Sequence, residues 1–294
     1  RGGVLLELTV VLASFNGAAT LGEQLDALLG QDAAFDWEIV VSDNGSTDGS
    51  RELVEGYAAR SPLVHLVDAS GQPGLSHARN VGARHARGRS LAFCDHDDRV
   101  AAGWLKAMAT GLQDNELVAG RLEHDLLNDP WTVEVRGRPQ TEELLEYADG
   151  WMPFAFGCTL GVRTDLHERL GGFDESFVDG AEDADYCWRA QRAGAELVLL
   201  EDAVTHYRFR HDLGGVYRQA RNYGSSEVRL YAKYRPLGLP PARRPLRKAA
   251  RLWAATGRAF VRARTRGDLG VAVWLLGQRV GRLRGSLTSR VFLP

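Results

Sequence analysis

The first half of the chain repeats one pattern, in which a strand-length apolar run is followed by a polar turn and a helical segment. The apolar runs cover residues 8–13, 38–42, 63–67 and 90–94. Runs of this length are typical of buried strands, and strands that alternate with helices favour a parallel sheet with right-handed connections. The pattern predicts an α/β fold, with a mostly parallel central sheet flanked by helices.

Polar turns follow the first, second and fourth runs, at residues 14–16, 43–48 and 95–98. Ligands of parallel α/β sheets bind outside the carboxyl ends of the strands, so all three turns are predicted to line one crevice. The last turn contains three aspartates, and closely spaced carboxylates repel one another unless a cation lies among them. This indicates a hard divalent metal with oxygen ligands, whereas the alternative is a solvated acidic turn.

Two local signals predict where helices of this half begin and end. Thr20 and Glu23 have the spacing of a capping box at the start of the first helix. Gly88 is predicted to end the third helix in the C′ position.

Beyond residue 115 the alternation is less regular. Strands are predicted at 117–122, 154–162 and 196–200, and helices at 164–170 and 180–194, the second opened by residues 180–185. Residues 124–151 are polar and predict a loop with a short helix at 142–147. From about residue 213 the chain is predicted to be mostly helical. We therefore divide the chain into residues 1–115 and 116–212, which form two halves of one domain, and a helical extension, residues 213–294.

Composition limits the class of protein. With 294 residues, 44% of them hydrophobic, the chain can bury the core of one large domain or of two fused halves. No apolar run approaches the roughly twenty residues needed to span a bilayer, and the N-terminus lacks a signal-peptide pattern, so a cytoplasmic location is predicted. Cys94, Cys158 and Cys187 lack metal-site spacing and are predicted to be reduced core residues.

The net charge of −2 conceals a strong asymmetry. From Arg235 onward there are fourteen Lys or Arg and one acid, Asp268, so the rest of the chain is acidic. Together with Trp253, Phe260 and Trp274, these cations suit peripheral docking on an anionic membrane. They also suit packing against the acidic body or a second subunit. Nucleic acid is not predicted as a partner, because no recognisable binding fold is present.

Six blocks of sequence, in order, carry a resemblance to a known family. They are VVLASFNGAATLGEQLDALLGQ, EIVVSDNGSTDGS, GLSHARNVGARHARG, LAFCDHDD, GGFDE and EDADYCWR. Over about residues 8–230 the chain resembles the family 2 glycosyltransferases, whose GT-A fold has a Rossmann-like sheet. The resemblance implies inverting transfer of a sugar from a nucleotide diphosphate to a hydroxyl of a glycan or lipid-linked acceptor, in cell-surface glycan or glycoconjugate synthesis.

The resemblance implies a nucleoside pocket between the first two polar turns. Asp43 would accept a hydrogen bond from the base, which suits uracil or thymine and therefore a UDP or dTDP donor. The alternative role for Asp43 is to cap the next helix, and capping is also a reasonable role for Asp48. Ser14, Phe15 and Asn16 would form the other wall, although Phe15 could equally belong to the core.

Two residues of the third helix are assigned to the donor by the same resemblance. The guanidinium fork of Arg79 matches phosphate oxygens, so Arg79 would pair with the diphosphate beside Asn80. The alternative for Arg79 is a surface salt bridge.

Asp95-His96-Asp97 fits the D-x-D pattern that holds Mg²⁺ or Mn²⁺ in the family. The resemblance implies Asp97 as the direct ligand, with Asp95 toward the ribose or the metal's waters. Asp98 is either a helper or the N-cap of the next helix, and His96 is expected to be a solvated loop residue.

A histidine after the last core strand is a further metal ligand in many members of the family. His206 occupies that place, with His211 as the substitute, and an imidazole would favour Mn²⁺ over Mg²⁺. A lone histidine is also commonly structural.

Glu182 and Asp183 match the family's E-D motif. Asp183 would take the proton of the acceptor hydroxyl at a helix N-terminus, where the helix dipole favours the ionised carboxylate, and Glu182 would shape the site. Asp185 is expected to cap the helix. Trp151 and Trp188 either line the acceptor cleft, together with the turn at residues 171–175, or belong to the core.

Two rival functions have less support from the sequence. A nucleotidyltransferase would want a Gly-rich phosphate loop with Lys or Arg after the first strand, and residues 14–19 lack one. A non-catalytic sugar-nucleotide-binding protein is disfavoured because both the metal pair and the base position are filled.

Overall fold

The computed structural model describes residues 6–147, 150–242 and 245–293. The strands are β1 (Leu6–Ser14), β2 (Trp37–Asp43), β3 (Val64–Asp68), β4 (Gly88–Asp95), β5 (Arg99–Val100), β6 (Leu117–Glu123), β7 (Thr159–Arg163) and β8 (Leu197–His206). The helices are α1 (Leu21–Leu29), α2 (Ser50–Ala58), α3 (Leu75–His85), α4 (Trp104–Asp114), α5 (Pro130–Arg136), α6 (Thr164–Leu170), α7 (Glu182–Arg192), α8 (Leu213–Tyr234), α9 (Pro245–Arg262) and α10 (Arg266–Ser289).

The strands form one eight-stranded sheet in the order β3-β2-β1-β4-β7-β6-β8-β5. Strands β3, β2, β1 and β4 are parallel neighbours, and β6 is parallel to β8. Strand β7 lies antiparallel between β4 and β6, and β5 is antiparallel to β8. The predicted α/β class with a mostly parallel sheet is therefore confirmed.

Alternate residues of the central strands enter two hydrophobic clusters on opposite faces of the sheet. Leu12 of β1 packs in the first cluster with residues of α1 and α4, such as Trp104. Phe93 of β4 packs in the second with residues of α6 and α7, such as Tyr186. Because side chains alternate along a strand, one buried strand supplies both layers of the core. The three cysteines are free and buried, as predicted.

The loop prediction for residues 124–151 was wrong in its details. A helix forms earlier, at Pro130–Arg136, with Asp129 at the N-cap and proline in its first turn. Leu145, in the segment expected to be helical, instead pairs through its backbone with Phe154. Proline at the first position of a helix needs no amide donor, and this signal was available in the sequence. Of the segment 124–151, residues 148 and 149 lie outside the described residues.

The predicted capping box of α1 and the predicted end of α3 also differ from the structure. Thr20 is the N-cap of α1 but makes no side-chain capping bond, and Glu23 instead accepts from Arg208 at 2.7 Å. Helix α3 ends at His85, and Gly88 is the first residue of β4 rather than a C′ glycine. A Cβ at Gly88 would collide with the backbone of Thr9, so the glycine permits close strand pairing.

Helices α8 and α10 pack closely and run in the same direction. Gly277, Gly281 and Gly285 of α10 lie directly against the backbone of α8, where a Cβ would collide. Helix α5 contacts the start of α10 through Val135, which lies against Gly270. The extension is thereby attached to the body.

Helix α9 presents an apolar stripe that is partly exposed to solvent. Leu246 and Val261 are each 76% exposed, and Trp253 and Phe260 are each 39% exposed. Thr256 is the one residue of α9 that is buried, and it lies on the same side of the helix as Trp253 and Phe260, three residues after the first and four before the second. The helix contains no acid and five cations, which are Arg247, Lys248, Arg251, Arg258 and Arg262. Among the helices of the described ranges, none combines the length and apolarity that a membrane span requires.

Candidate active site

The three polar turns meet at the carboxyl ends of β1, β2 and β4, as the sheet topology requires. A cavity of about 520 Å³ lies beside the third turn and continues to the start of α7. Its polar lining includes Arg79, Asp95, Asp97, Glu182, Asp183, Arg208 and Arg210.

The first two turns are bonded to each other. The side-chain oxygen of Asn16 accepts from the amide of Thr47 at 2.8 Å, and the amide of Asn16 donates to Ser46 at 2.9 Å. Asp48 accepts from the amide of Ala18 at 3.0 Å and from that of Ser50 at 3.1 Å. Asn16 and Asp48 therefore hold the walls of the proposed nucleoside pocket together.

Asp43 is only 3% exposed and lies at the end of β2. Both of its carboxylate oxygens accept from the amide of Ser46 at 3.3 Å, whereas the N-cap of α2 is Gly49. Asp43 therefore shapes the turn and does not cap the helix. Ser14 is buried, and its Oγ has no hydrogen-bond partner within the described part of the chain. Phe15 is 55% exposed and so is not a core residue.

Arg79 is 1% exposed and joins two acidic parts of the site. One of its terminal nitrogens donates to Asp95 at 2.8 Å and the other donates to Glu182 at 3.1 Å. The two carboxylates raise the pKa of Arg79 although burial opposes this. This is a buried bridge between β4 and α7, not the surface salt bridge that was the alternative.

Asn80 is turned toward the protein. Its amide nitrogen donates to the carbonyl of Phe173 at 2.9 Å and to Glu175 at 2.8 Å, and its oxygen accepts from the amide of Phe173 at 2.8 Å. Asn80 thus holds the turn at residues 171–175, which contains Gly172 with a φ of 77°.

The third turn contains a compact acidic cluster. Ligand atoms of Asp95, Asp98 and Cys158 lie within 4.8 Å of one another. Asp98 is 1% exposed and accepts from the amide of Arg208 at 2.7 Å, while its second oxygen has no partner among the residues described. Burial and the nearby Asp97 and Asp95 raise the pKa of Asp98 well above its ordinary value.

The carboxylates of this cluster suit a hard divalent cation, but its thiol does not. A buried carboxylate oxygen without a partner, next to further carboxylates, is the arrangement that Mg²⁺ or Mn²⁺ would satisfy. Burial raises the pKa of the Cys158 thiol, which makes it a poor ligand for such ions. Asp97 lies on the same turn and accepts from Arg210 at 3.0 Å.

Asp98 does not cap the next helix, because α4 has Gly103 as its N-cap. His96 was expected to be solvated, but it is partly buried and its Nδ1 lies 3.3 Å from the carbonyl of Ala13. His206 ends β8, and its Nδ1 lies 2.7 Å from Glu123. His211 is exposed and lies beyond the end of that strand.

Glu182 and Asp183 occupy the first turn of α7. Asp183 accepts from the amide of Ala184 at 2.8 Å and from that of Gly157 at 3.3 Å. Burial, followed by the charge of Glu182, raises the pKa of Asp183 to about 7. The residue before them, Ala181, has a φ of 66°, a left-handed conformation that costs a non-glycine residue free energy. Such strain commonly accompanies functional sites.

Other acceptor-side candidates lie outside the cavity. Asp185 is fully buried and bonds to Arg189 at 2.8 Å and to the hydroxyl of Tyr234 at 2.9 Å, so it attaches α8 to α7. Trp188 is also fully buried and packs edge-on against Trp151, which places both in a core cluster.

Sequence reasoning missed two arginines. Arg208 donates to the backbone carbonyl of Asp97 at 2.8 Å, and Arg210 pairs with the side chain of the same residue. Both follow β8 directly, where the sequence Tyr-Arg-Phe-Arg-His concentrates positive charge. That charge beside the end of a strand was the signal available.

A family model for "Glycosyl transferase family 2" matches residues 9–171, which is more than half of the 294 residues. The chain belongs to glycosyl transferase family 2. The predicted family is therefore confirmed.

Curated relatives of the chain carry glycosyltransferase names. An uncharacterized glycosyltransferase, EpsJ, of Bacillus subtilis (strain 168) is 26% identical over 211 residues, covering 68% of this chain and 60% of that protein. A validoxylamine A glucosyltransferase of Streptomyces hygroscopicus subsp. jinggangensis (strain 5008) is 28% identical over 227 residues, covering 67% and 54%. The chain thus spans just over half the length of these two relatives.

A solved structure shares the fold. The mannosyltransferase PcManGT of Pyrobaculum calidifontis, in complex with GDP-Man and Mn²⁺, matches with a TM-score of 0.64 and 22% identity. The match covers 95% of this chain and 87% of the other. The predicted GT-A fold is therefore confirmed, including a helical C-terminal extension.

Proposed function

We propose that this glycosyltransferase moves a sugar from a UDP- or dTDP-sugar to a hydroxyl acceptor with inversion at the anomeric carbon. The observation that carries the proposal is the continuous path from Asp95 through the buried Arg79 and Glu182 to Asp183. It connects a cation-binding turn to a carboxylate with a pKa of about 7, which are the two parts that such a transfer requires.

The donor half of the site is residues 1–115 in this proposal, and the acceptor half is residues 116–212. Asp43 would read the base between walls that Ser14, Phe15 and Asn16 contribute, and Phe15 is exposed enough to contact a ligand. Arg79 and Asn80 would act indirectly, since their side chains are already bonded within the protein.

Asp95, Asp97 and Asp98 would hold a Mn²⁺ or Mg²⁺ ion, which when bound would neutralise charge on the departing diphosphate. His206 would contribute its Nε2, because Glu123 engages the Nδ1 and fixes the ring. Arg210 is within reach of the same position and would pair with phosphate oxygens through its planar guanidinium.

Asp183 would remove the proton of the acceptor hydroxyl. The amides of Gly157 and Ala184 orient its carboxylate, and a pKa near the working pH suits a general base. Glu182 would keep that pKa raised through its charge while Arg79 holds it in place.

We assign the enzyme to cell-surface polysaccharide or glycoconjugate synthesis, with peripheral membrane contact through the basic extension, residues 213–294. The exposed apolar stripe of α9, with cations beside it and no acid, supports this contact. An interfacial helix places such a stripe among acyl chains and its cations near anionic headgroups.

The test of the donor site is calorimetric titration with UDP, dTDP and GDP, each with Mn²⁺, with Mg²⁺ and with EDTA. We expect UDP or dTDP to bind only with a metal, and the variant Asp97→Ala to lose that binding. Asp202→Ala, which removes an exposed acid on β8, is the matched control and should bind as wild type does.

Preference for GDP would contradict the role given to Asp43, and absence of nucleotide binding would contradict the proposed function. Once a donor sugar that supports turnover is found, NMR of the product gives its anomeric configuration and so shows whether the transfer inverts.

A further inference from the structure

A second cavity, of about 540 Å³, lies on the other side of the catalytic pair. Glu182, Asp183, Tyr223, Phe156 and Gly180 line both cavities, so the carboxylate of Asp183 stands in the wall between them. The first cavity leads to the acidic cluster, and the second leads into the C-terminal helices. The volume of the second falls within the roughly 300–1,000 Å³ of small-molecule sites.

The lining of this second cavity combines a polar part and an apolar part. Beyond the catalytic pair, charged and polar side chains come from Arg136, Glu146, Glu227, Lys248, Gln278 and Arg282, and Arg282 pairs with Glu227 at 2.7 Å. The apolar residues include Leu145, Phe154, Leu230, Tyr231, Leu239 and Leu293. Against these apolar side chains a polyhydroxylated group would lose hydrogen bonds, but an alkyl or isoprenoid chain would gain from leaving water, whereas the polar groups of the lining suit the hydroxyl-bearing end of a ligand.

The cavity reaches the protein surface beside α9. Glu146 and Lys248 both line it and both are exposed. Lys248 belongs to α9, so the opening lies next to the helix that carries the exposed apolar stripe. A ligand with an apolar chain could therefore extend from the cavity toward an interface.

We propose that this second cavity binds an amphiphilic acceptor, with its hydroxyl at Asp183 and its apolar chain along Leu145, Leu230 and Leu239. The proposal rests on the glycosyl transfer proposed above. In the step, the acceptor oxygen forms a bond to the anomeric carbon and its proton passes to Asp183. The bond from that carbon to the phosphate oxygen breaks, and its electron pair leaves with the nucleoside diphosphate.

The test measures by calorimetry how tightly methyl, hexyl and octyl β-glucosides bind, each at concentrations below those at which it forms micelles. We expect affinity to rise by about fourfold for each CH₂ that is buried. Leu145→Trp fills the cavity and should abolish the dependence on chain length. Glu142→Trp places the same side chain at an exposed position of the same segment, outside the lining, and should leave that dependence intact.

Ala242→Phe is a second filling variant, at another point of the lining, and thermal unfolding identifies which variants are folded. Affinities that are equal for the three glucosides would overturn the proposal. So would a dependence on chain length that both filling variants retain, because the chains would then bind elsewhere, such as on α9.

Titration of the same samples with UDP and Mn²⁺ distinguishes failure of the acceptor assignment from failure of the proposed glycosyl transfer. Nucleotide binding without a chain-length dependence overturns the acceptor assignment alone. A chain-length dependence without nucleotide binding overturns the proposed transfer and leaves the second cavity as a site for amphiphiles.

Discussion

Asp183 shows how a single residue acquires its chemistry from its surroundings. Its carboxylate is buried beside Glu182, and both effects disfavour its ionised form, which raises its pKa to about 7. Two backbone amides oppose the rise. A carboxylic acid with an ordinary pKa would be a weaker base for an acceptor hydroxyl at neutral pH.

We predict that kcat/KM for transfer rises with pH and levels off above about pH 7, because Asp183, as the proposed base, must be ionised to accept the proton. Asp183→Asn should lower the rate by about 10²- to 10⁴-fold. Initial rates across pH measure both effects. A profile that is flat from pH 5 to 8 would exclude Asp183 as the base.

Stability gives an independent measure of the same pKa. Because folding raises the pKa of Asp183, its contribution to stability is present below the pKa of the unfolded chain and is lost as pH rises through the folded value of about 7. Urea unfolding should therefore show Asp183→Asn gaining stability over wild type between about pH 4 and pH 7. The exposed control Asp202→Asn should show no such trend.

At the residue scale, the sequence predicts where charge is concentrated better than it predicts contacts. The acidic turn and the E-D pair are visible as short motifs. The orphaned oxygen of Asp98 and the pairing of Arg210 with Asp97 are not, because they depend on strands far apart in the chain.

At the scale of elements, the first four strands are predictable because each is an apolar run of strand length ended by a polar turn. Strand β7 is different, since its antiparallel place between β4 and β6 has no local signal. Helix α5 was missed because it is only seven residues long and lies within a polar segment, although Asp129 and Pro130 signal its start. Elements with long-range partners are therefore the ones that local patterns describe least well.

The glycines of α9 and α10 give a matched pair for testing helix packing. Gly281→Ala should destabilise the protein by about 1–3 kcal/mol, because its Cβ would meet the backbone of Arg221 in α8. Gly257→Ala should stabilise α9 by about 0.5–1 kcal/mol, because nothing lies near the added Cβ and alanine favours a helix. Urea unfolding of both variants measures the difference. Equal effects would mean that α8 and α10 are not in close contact.

At the scale of the whole molecule, charge is divided between an acidic body and a basic extension. The extension packs on the body through α8 and α10, while the apolar stripe of α9 stays partly exposed to solvent. The charge division was predictable from composition, but which face of α9 would be left exposed was not, because this depends on the packing against α10.

We predict that the protein co-sediments with vesicles containing anionic lipid and that added salt weakens the binding. Replacing Arg251 and Arg258 by alanine should cost about 2 kcal/mol, or about thirtyfold in affinity. Trp253→Ser should also weaken binding, whereas Leu287→Ser, at an exposed leucine outside α9, is the control. Failure to co-sediment at low salt would contradict the membrane contact.

The bridge made by Arg79 has a consequence for how the protein unfolds. The guanidinium comes from the first 115 residues and is buried between Asp95 of that same part and Glu182 of the next. If either part opened alone, a buried ion would lose a counterion, which costs several kcal/mol. We therefore expect residues 1–115 and 116–212 to unfold in a single cooperative transition rather than as two autonomous folding units.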